Sequence, residues 1–227
     1  MIGIDEIMRM RNKPWAKPEL EACNYFVQRP EEWKNQWKSH FAAVQPIYLE
    51  LGCGKGGFAA QAAVMYRNIN FLAIDIEYKM LGVARRNISR SLEENHLTAD
   101  NILLTAYNIE NISSIFGEQD TIDRIYINFC NPWPRNKHKK HRLTHPKQLV
   151  QYKHFLKPGG EIHFKTDDDG LFEESIAYFE ESGFRLTYIT RDLHQSDYQG
   201  NIMTEHEKMF SEEGIKIKLL IAELPEV

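Results

Sequence analysis

Cysteine is scarce in this chain of 227 residues: Cys23, Cys53 and Cys130 are odd in number, far apart and in no CxxC pair. Neither a disulfide framework nor a zinc ribbon is expected from them. No uncharged apolar run is long enough to cross a bilayer, so no membrane partner is expected. The opening Met1-Ile2-Gly3-Ile4-Asp5-Glu6 lacks the basic-then-apolar signature of a secretory leader. Internal repeats and low-complexity tracts are absent as well. These absences together predict a reduced, cytoplasmic protein.

What is there suits a globular enzyme. Hydrophobic residues at 42% and charged residues at 26% argue against disorder, and the length is enough to bury a core. The net charge of −4 does not point to a nucleic acid, but its distribution does. Arg9, Arg11, Lys13 and Lys17 cluster near the start, and Arg135, Lys137, Lys139, Lys140 and Arg142 fall within eight residues. Acidic pairs such as Glu173-Glu174 and Glu180-Glu181 mask these clusters in the total. A local basic patch attracts phosphates whatever the overall charge, although a run of this kind also occurs as a solvated loop.

The apolar pattern alternates between strand and helix. Strands are predicted at 47–51, 71–74, 102–106, 122–129, 161–165, 185–190 and 216–222. Helices are predicted at 31–41, 58–66, 78–95, 146–156, 171–181 and 204–212. Lys157-Pro158-Gly159-Gly160 reads as a stop and turn, and the polar stretch 192–201, ending in Gly200, as a mobile loop. Strands joined by helical crossovers imply an α/β fold: a mostly parallel seven-stranded sheet with helices on both faces.

The first strand runs into Glu50-Leu51-Gly52-Cys53-Gly54-Lys55-Gly56-Gly57, which opens a helix. Glycine lets the backbone turn tightly and approach a ligand there. Gly52, Gly54 and Gly57 satisfy the dinucleotide pattern GxGxxG, with Asp75 at the spacing of a ribose contact. Glu50, Gly52, Gly54 and Gly56 satisfy equally well the ExGxGxG of class I methyltransferases. Three features favour a methyl donor. Glu50 can offer a carboxylate to an ammonium, a contact with no purpose beside a pyrophosphate. Asn108 follows the third strand, where a polar side chain can meet an adenine amine. Asn128-Phe129-Cys130-Asn131-Pro132-Trp133-Pro134 then follows the fourth strand and leads into a basic loop, of no clear use to a hydride-transfer enzyme.

From Glu50 onward the chain resembles the bacterial tRNA (guanine-N7)-methyltransferases, often called TrmB. The stretches that carry the resemblance are Ile127 to Pro134, Lys137-His138-Lys139-Lys140-His141-Arg142-Leu143, His163-Phe164-Lys165-Thr166-Asp167 and Asn201-Ile202-Met203-Thr204-Glu205-His206-Glu207. Near the start, Arg11-Asn12-Lys13-Pro14-Trp15-Ala16 also fits. The resemblance implies a class I S-adenosylmethionine-dependent methyltransferase domain over 46–227, with 1–45 as an extension carrying a basic segment and a helix. It implies S-adenosyl-L-methionine as cofactor, held by Glu50, Gly52, Gly54, Asp75, Asn108 and Asn131. It implies tRNA as partner, the acceptor being N7 of the variable-loop guanine at tRNA position 46, with Asn131 at the catalytic position. Substrate contacts carry over to Arg135, Asp167, Thr204, Glu205, His206 and Glu207. Lys137, Lys139, Lys140 and Arg142 are expected on the RNA backbone. The chain departs from the commoner pattern at four of these places: Asn131 and Asn108 stand for aspartates, Arg135 for lysine and His206 for tyrosine.

The chemistry tolerates the loss of an aspartate. Guanine N7 has an in-plane lone pair and no proton, so methylation needs no general base. The enzyme must align the reacting atoms and stabilise a ring that becomes positive. Asn131 can orient the base while Asp167 supplies compensating charge. Asp167 and Glu205 can also read guanine, whose Watson–Crick edge presents two donors to a carboxylate. Trp133 can stack on the base or anchor the loop on the sheet.

Other clusters have plainer explanations. His138, His141 and His145 lie among cations with no accompanying carboxylate or cysteine, so no metal is expected there. Asp168 and Asp169 suit a helix start, and Thr204 with Glu207 matches a capping box. Two other functions fit parts of the sequence. Asn131-Pro132-Trp133 loosely resembles the Asn-Pro-Pro-aromatic motif of nucleic-acid amino-methyltransferases, and Asn131 can also be the mark of a non-catalytic RNA-binding module that retains a cofactor pocket. Oligomeric state is not legible.

Overall fold

The computed structural model describes residues 12–226. Its strands are β1 (Phe26–Val27), β2 (Ile47–Leu51), β3 (Asn70–Asp75), β4 (Ile102–Ala106), β5 (Ile122–Asn128), β6 (Leu156–Thr166), β7 (Arg185–Thr190) and β8 (Lys218–Glu223). They form one sheet in the order β1-β4-β3-β2-β5-β6-β8-β7. All pairs are parallel except those of β8, which runs antiparallel between β6 and β7. The helices are α1 (Ala16–Glu21), α2 (Gly57–Met65), α3 (Tyr78–Glu94), α4 (Pro146–Tyr152), α5 (Asp169–Glu181) and α6 (Glu205–Glu212).

The central strands are buried along nearly their whole length, as strands of a sheet covered on both faces must be. Alanines 59, 60, 62 and 63 are buried in α2. In α3, Leu81, Ala84, Ile88 and Leu92 recur at helical spacing and form its buried face. β7, at the sheet edge, alternates between exposed and half-buried positions.

The sheet has eight strands where seven are expected. The addition is β1, which pairs Phe26 with Leu104 and Val27 with Thr105 at the β4 edge. Two residues are too few to display a period. The helix expected over 31–41 is replaced by two 3-10 turns, Pro30–Trp33 and Trp37–His40. Asn35 between them has φ 65°, and the Asp120 carboxylate accepts from the amides of Asn35 (2.7 Å) and Trp37 (3.3 Å), an exchange a continuous helix forbids. Trp37 itself is buried and donates from Nε1 to the Ile115 carbonyl at 2.8 Å. Leu20, Tyr25, Phe26, Trp37 and Phe41 thus join the same core as the strands.

Lys157 to Gly160 does not end a helix; it lies inside β6, where the register against β5 slips between Ile122 and Arg124. Gly159, at φ 72°, lets its amide donate to the Leu224 carbonyl at 2.7 Å, a bulge in place of a turn. α4 accordingly stops at Tyr152, short of residue 156. The stretch 192–201, expected as a mobile loop, is tied down. Leu193 donates to Ile217 at 2.7 Å and packs with Ile217, Leu219 and Ile221, while the Tyr188 hydroxyl donates to Asp197 at 2.9 Å.

Candidate active site

The carboxyl ends of β2, β3, β5 and β6 meet at the glycine loop, where ligands of open α/β sheets bind. Gly52, Gly54 and Gly56 have φ of 78°, 53° and 71°, values that other residues rarely adopt. A Cβ on Gly56 would stand 2.7 Å from that of Ala84, so this glycine also lets the loop sit against α3. Asp75 holds the loop in shape: Oδ2 accepts from the Gly54 amide and Oδ1 from the Glu77 amide, both at 2.9 Å.

Glu50, next to last in β2, is buried, with Oε1 accepting from Asn128 Nδ2 at 3.2 Å. Glu50 Oε2 and Asn128 Oδ1 are buried with no partner among the described residues. Burial pushes the Glu50 carboxyl up to about 8, against the opposing pull of Asn128 and of the Lys165 cation. Two orphaned acceptors side by side are what an ammonium group satisfies, so the residues present fit the amino-acid end of S-adenosylmethionine. Glu50, Gly52, Gly54 and Asn128 line one cleft with Thr204, Glu205 and His206. Lys55 spans its mouth and pairs with Glu205 at 3.1 Å. Asn108, expected against the adenine, is exposed after β4, and its Oδ1 accepts from the Glu110 amide at 3.0 Å.

The segment after β5 is a strained turn. Phe129 and Trp133 have φ of 53° and 42°, and Asn131 between them is exposed. Asn131 Oδ1 accepts from the Trp133 amide at 3.0 Å, which fixes the turn from within. From outside, the Lys165 carbonyl accepts from the Phe129 amide at 2.9 Å and Arg142 Nε donates to the Pro132 carbonyl at 2.7 Å. Trp133 is half-buried against His138 and His141, at ring separations of 5.7 and 5.4 Å. His141 is in turn bound to Glu110 at 2.7 Å, and His145 caps α4.

Several expected contact residues are engaged elsewhere. Arg142, expected on RNA phosphate, is only 3% exposed and binds Glu174 at 2.9 Å as well as Pro132. Lys139 is half-buried and pairs with the same Glu174 at 2.8 Å. The exposed cations of the run are Arg135, Lys137 and Lys140. Glu207, expected on the substrate, is wholly buried and paired with Lys165 at 2.7 Å. The corrections at Arg142, Lys139 and Glu207 share one cause: a charged side chain can face the protein interior and meet a partner distant in sequence, which a count of charges does not register. Thr204 accepts from the Glu207 amide at 3.1 Å, so the capping box forms in part, and the threonine still lines the cleft. Asp168, not Asp167, caps α5, its Oδ1 accepting from the Leu171 amide at 2.6 Å. That leaves the Asp167 carboxylate half-buried near His206, raised in pKa by burial. Arg9 and Arg11 of the N-terminal cluster lie outside the described residues.

Asn128, Lys165 and Lys55 belong to the site without matching a site position of the sequence motifs. A polar side chain closing a buried apolar strand is the signal that Asn128 offers, and Lys165 inside such a strand offers the same one.

A family described as "Putative methyltransferase" matches residues 44–220. The tRNA (guanine-N(7)-)-methyltransferase of Clostridium beijerinckii is 62% identical over 215 residues, covering 95% of this chain and 98% of that one. That of Clostridium perfringens is 59% identical over 216 residues, covering 95% and 99%. The chain belongs to the tRNA (guanine-N7)-methyltransferase family. Among solved structures it is similar to the 16S rRNA methyltransferase KamB, with a TM-score of 0.60, 13% identity and coverage of 84% of this chain and 92% of that one. A precorrin-6y C5,15-methyltransferase from Geobacter metallireducens gives a TM-score of 0.54 at 14% identity, covering 79% and 81%. At such identities these two show the fold alone, that of class I S-adenosylmethionine-dependent methyltransferases. The methyl donor of such enzymes is S-adenosylmethionine, so the dinucleotide reading of the glycine loop falls. No helix among the described residues is long and apolar enough to cross a membrane.

Proposed function

We propose that this protein transfers a methyl group from S-adenosylmethionine to N7 of a guanine in tRNA, in the cytoplasm. The observation that carries the proposal is that one cleft joins the Glu50–Gly54 loop to the Thr204–His206 segment, about 150 residues away in sequence. The half of the sequence motif that suits a methyl donor and the half that suits a base face the same space.

When bound, S-adenosylmethionine supplies an electrophilic methyl group on a sulfonium. Glu50 and Asn128 hold its amino-acid end, and Asp75 keeps the glycine loop open toward its ribose. Asn131 and its turn set the acceptor base in line; no side chain has to remove a proton, because N7 carries none. Asp167 offers a carboxylate to the N1 and exocyclic amine donors of guanine and offsets the positive charge that grows on the ring. Adenine would meet that carboxylate with a lone pair. RNA-modifying enzymes take the target base out of its stack, which exposes this edge. Arg135, Lys137 and Lys140 face solvent beside the turn and suit the phosphates of the flanking RNA.

The test is incubation with unmodified tRNA and labelled donor, followed by base-resolution mapping of the product. The expected product is 7-methylguanine at one site in the variable loop. Label on an exocyclic amine, or donor binding without transfer, would refute the proposal.

A further inference from the structure

The Lys165 side chain has no part in the roles above. It sits in β6, opposite Asn128 of β5 and Leu219 of β8, and is 4% exposed. A lysine buried in a sheet is tolerated only if its donors are all satisfied. They are, and by a single segment: Lys165 Nζ donates to Asn201 Oδ1 at 2.9 Å, to the Ile202 carbonyl at 2.9 Å and to Glu207 Oε2 at 2.7 Å. The other oxygen of the buried Glu207 accepts from His194 Nε2 at 2.8 Å and from Asn201 Nδ2 at 2.6 Å. Between these anchors stand Thr204, Glu205 and His206, the residues that face the donor loop across the cleft. The backbone of the same lysine holds the Asn131 turn through the Phe129 amide at 2.9 Å.

We infer that Lys165 is a positioning residue for methyl transfer, its ammonium setting where the 201–207 segment meets the cleft and so how the guanine lies against the donor. The inference rests on the reading of that segment as the substrate side of the site. An apolar contact would press α6 onto the sheet without fixing its direction. Three hydrogen bonds from one tetrahedral donor fix both distance and angle, and reactions that depend on alignment are sensitive to both.

The experiment compares wild type with Lys165→Met. Folding is followed by thermal unfolding, binding of S-adenosylhomocysteine by calorimetry, and methylation by kcat and KM for unmodified tRNA. The expected result is a kcat lower by about 100-fold, with KM and S-adenosylhomocysteine affinity within about threefold of wild type. A folded variant with wild-type kcat would overturn the inference. So would a loss of S-adenosylhomocysteine affinity that matches the loss of kcat, since Lys165 would then serve the donor pocket. If Lys165→Met does not fold, because Glu207 is left buried and unpaired, the double variant Lys165→Met/Glu207→Leu removes both charges together. A folded double variant with low kcat supports the inference, and one with restored kcat overturns it. Failure of the wild type to methylate tRNA would strike the proposed activity itself and is read from a separate arm.

Discussion

Asn128 donates to Glu50 across the floor of the cleft, and the acceptor oxygen that each residue has left over is buried without a partner among the described residues. That arrangement makes donor binding depend on pH. The free protein holds Glu50 protonated below about 8, whereas an ammonium ligand requires the carboxylate. Affinity for S-adenosylhomocysteine should therefore rise as pH increases from 6 to about 8 and level off above it, with a proton released on binding in the lower range. Calorimetry in buffers of different ionisation enthalpy measures that proton. Glu50→Gln should weaken binding and flatten the profile; an equally steep profile in the variant would place the titrating group elsewhere.

Asn131 is expected to act by orientation and not by proton transfer. Its Oδ1 fixes the turn by accepting from Trp133, a task a carboxylate performs as well. Asn131→Asp should keep kcat within about tenfold of wild type, whereas Asn131→Ala should lose about 100-fold, both with unchanged cofactor affinity. Wild-type turnover by the alanine variant would remove Asn131 from the mechanism.

Exposure separates the basic run into two classes with different signatures. Neutralising Lys137 or Lys140 should weaken tRNA binding and flatten its log–log salt dependence by about 0.7 to 0.9 for each phosphate ion pair removed. Arg142→Gln should leave that slope alone and instead lower stability by about 1–3 kcal/mol, because the Pro132 carbonyl loses its side-chain donor and Glu174 loses one of its donors. Denaturant unfolding and salt-dependent binding, measured on the same variants, tell the classes apart. A salt slope that falls in Arg142→Gln would mean that this side chain meets RNA after all.

The two carboxylates assigned to guanine should not weigh equally. Asp167 makes no cap and no ion pair among the described residues, and Asp167→Ala should cost about 100-fold in kcat with normal donor binding. Glu205 is exposed and already paired with Lys55, so Glu205→Ala should cost about tenfold or less. Single-turnover methylation of tRNA gives both numbers, and the reverse ranking would assign base recognition to Glu205.

Much of this architecture is legible in the sequence because the information is local. Strands 47–51, 71–74 and 102–106 are predominantly apolar runs, and the glycine loop follows the first of them, so the apolar pattern and turn chemistry place the sheet and the donor site. β1 escapes because two residues carry no period, and the bulge at Gly159 because a turn signal looks the same inside a strand as after a helix. The site is illegible where partners are distant. Nothing near Glu207 announces that Lys165, 42 residues earlier, takes its carboxylate, and nothing near Arg142 announces Glu174, 32 residues later. Charges of one sign therefore look free in the sequence when the fold has already paired them.

The reversed strand β8 has a consequence for how the molecule is made. It enters between β6 and β7, and its Lys218 donates to the Asp167 carbonyl at 2.8 Å. Until residues 218–223 leave the ribosome, β6 and β7 each expose an unpaired edge and the backbone beside Asp167 lacks this support. The donor loop, by contrast, joins β2 to α2 and is held by Asp75 of β3, all synthesised before residue 76. A nascent chain thus forms the glycine loop well before β8 can support the backbone beside Asp167.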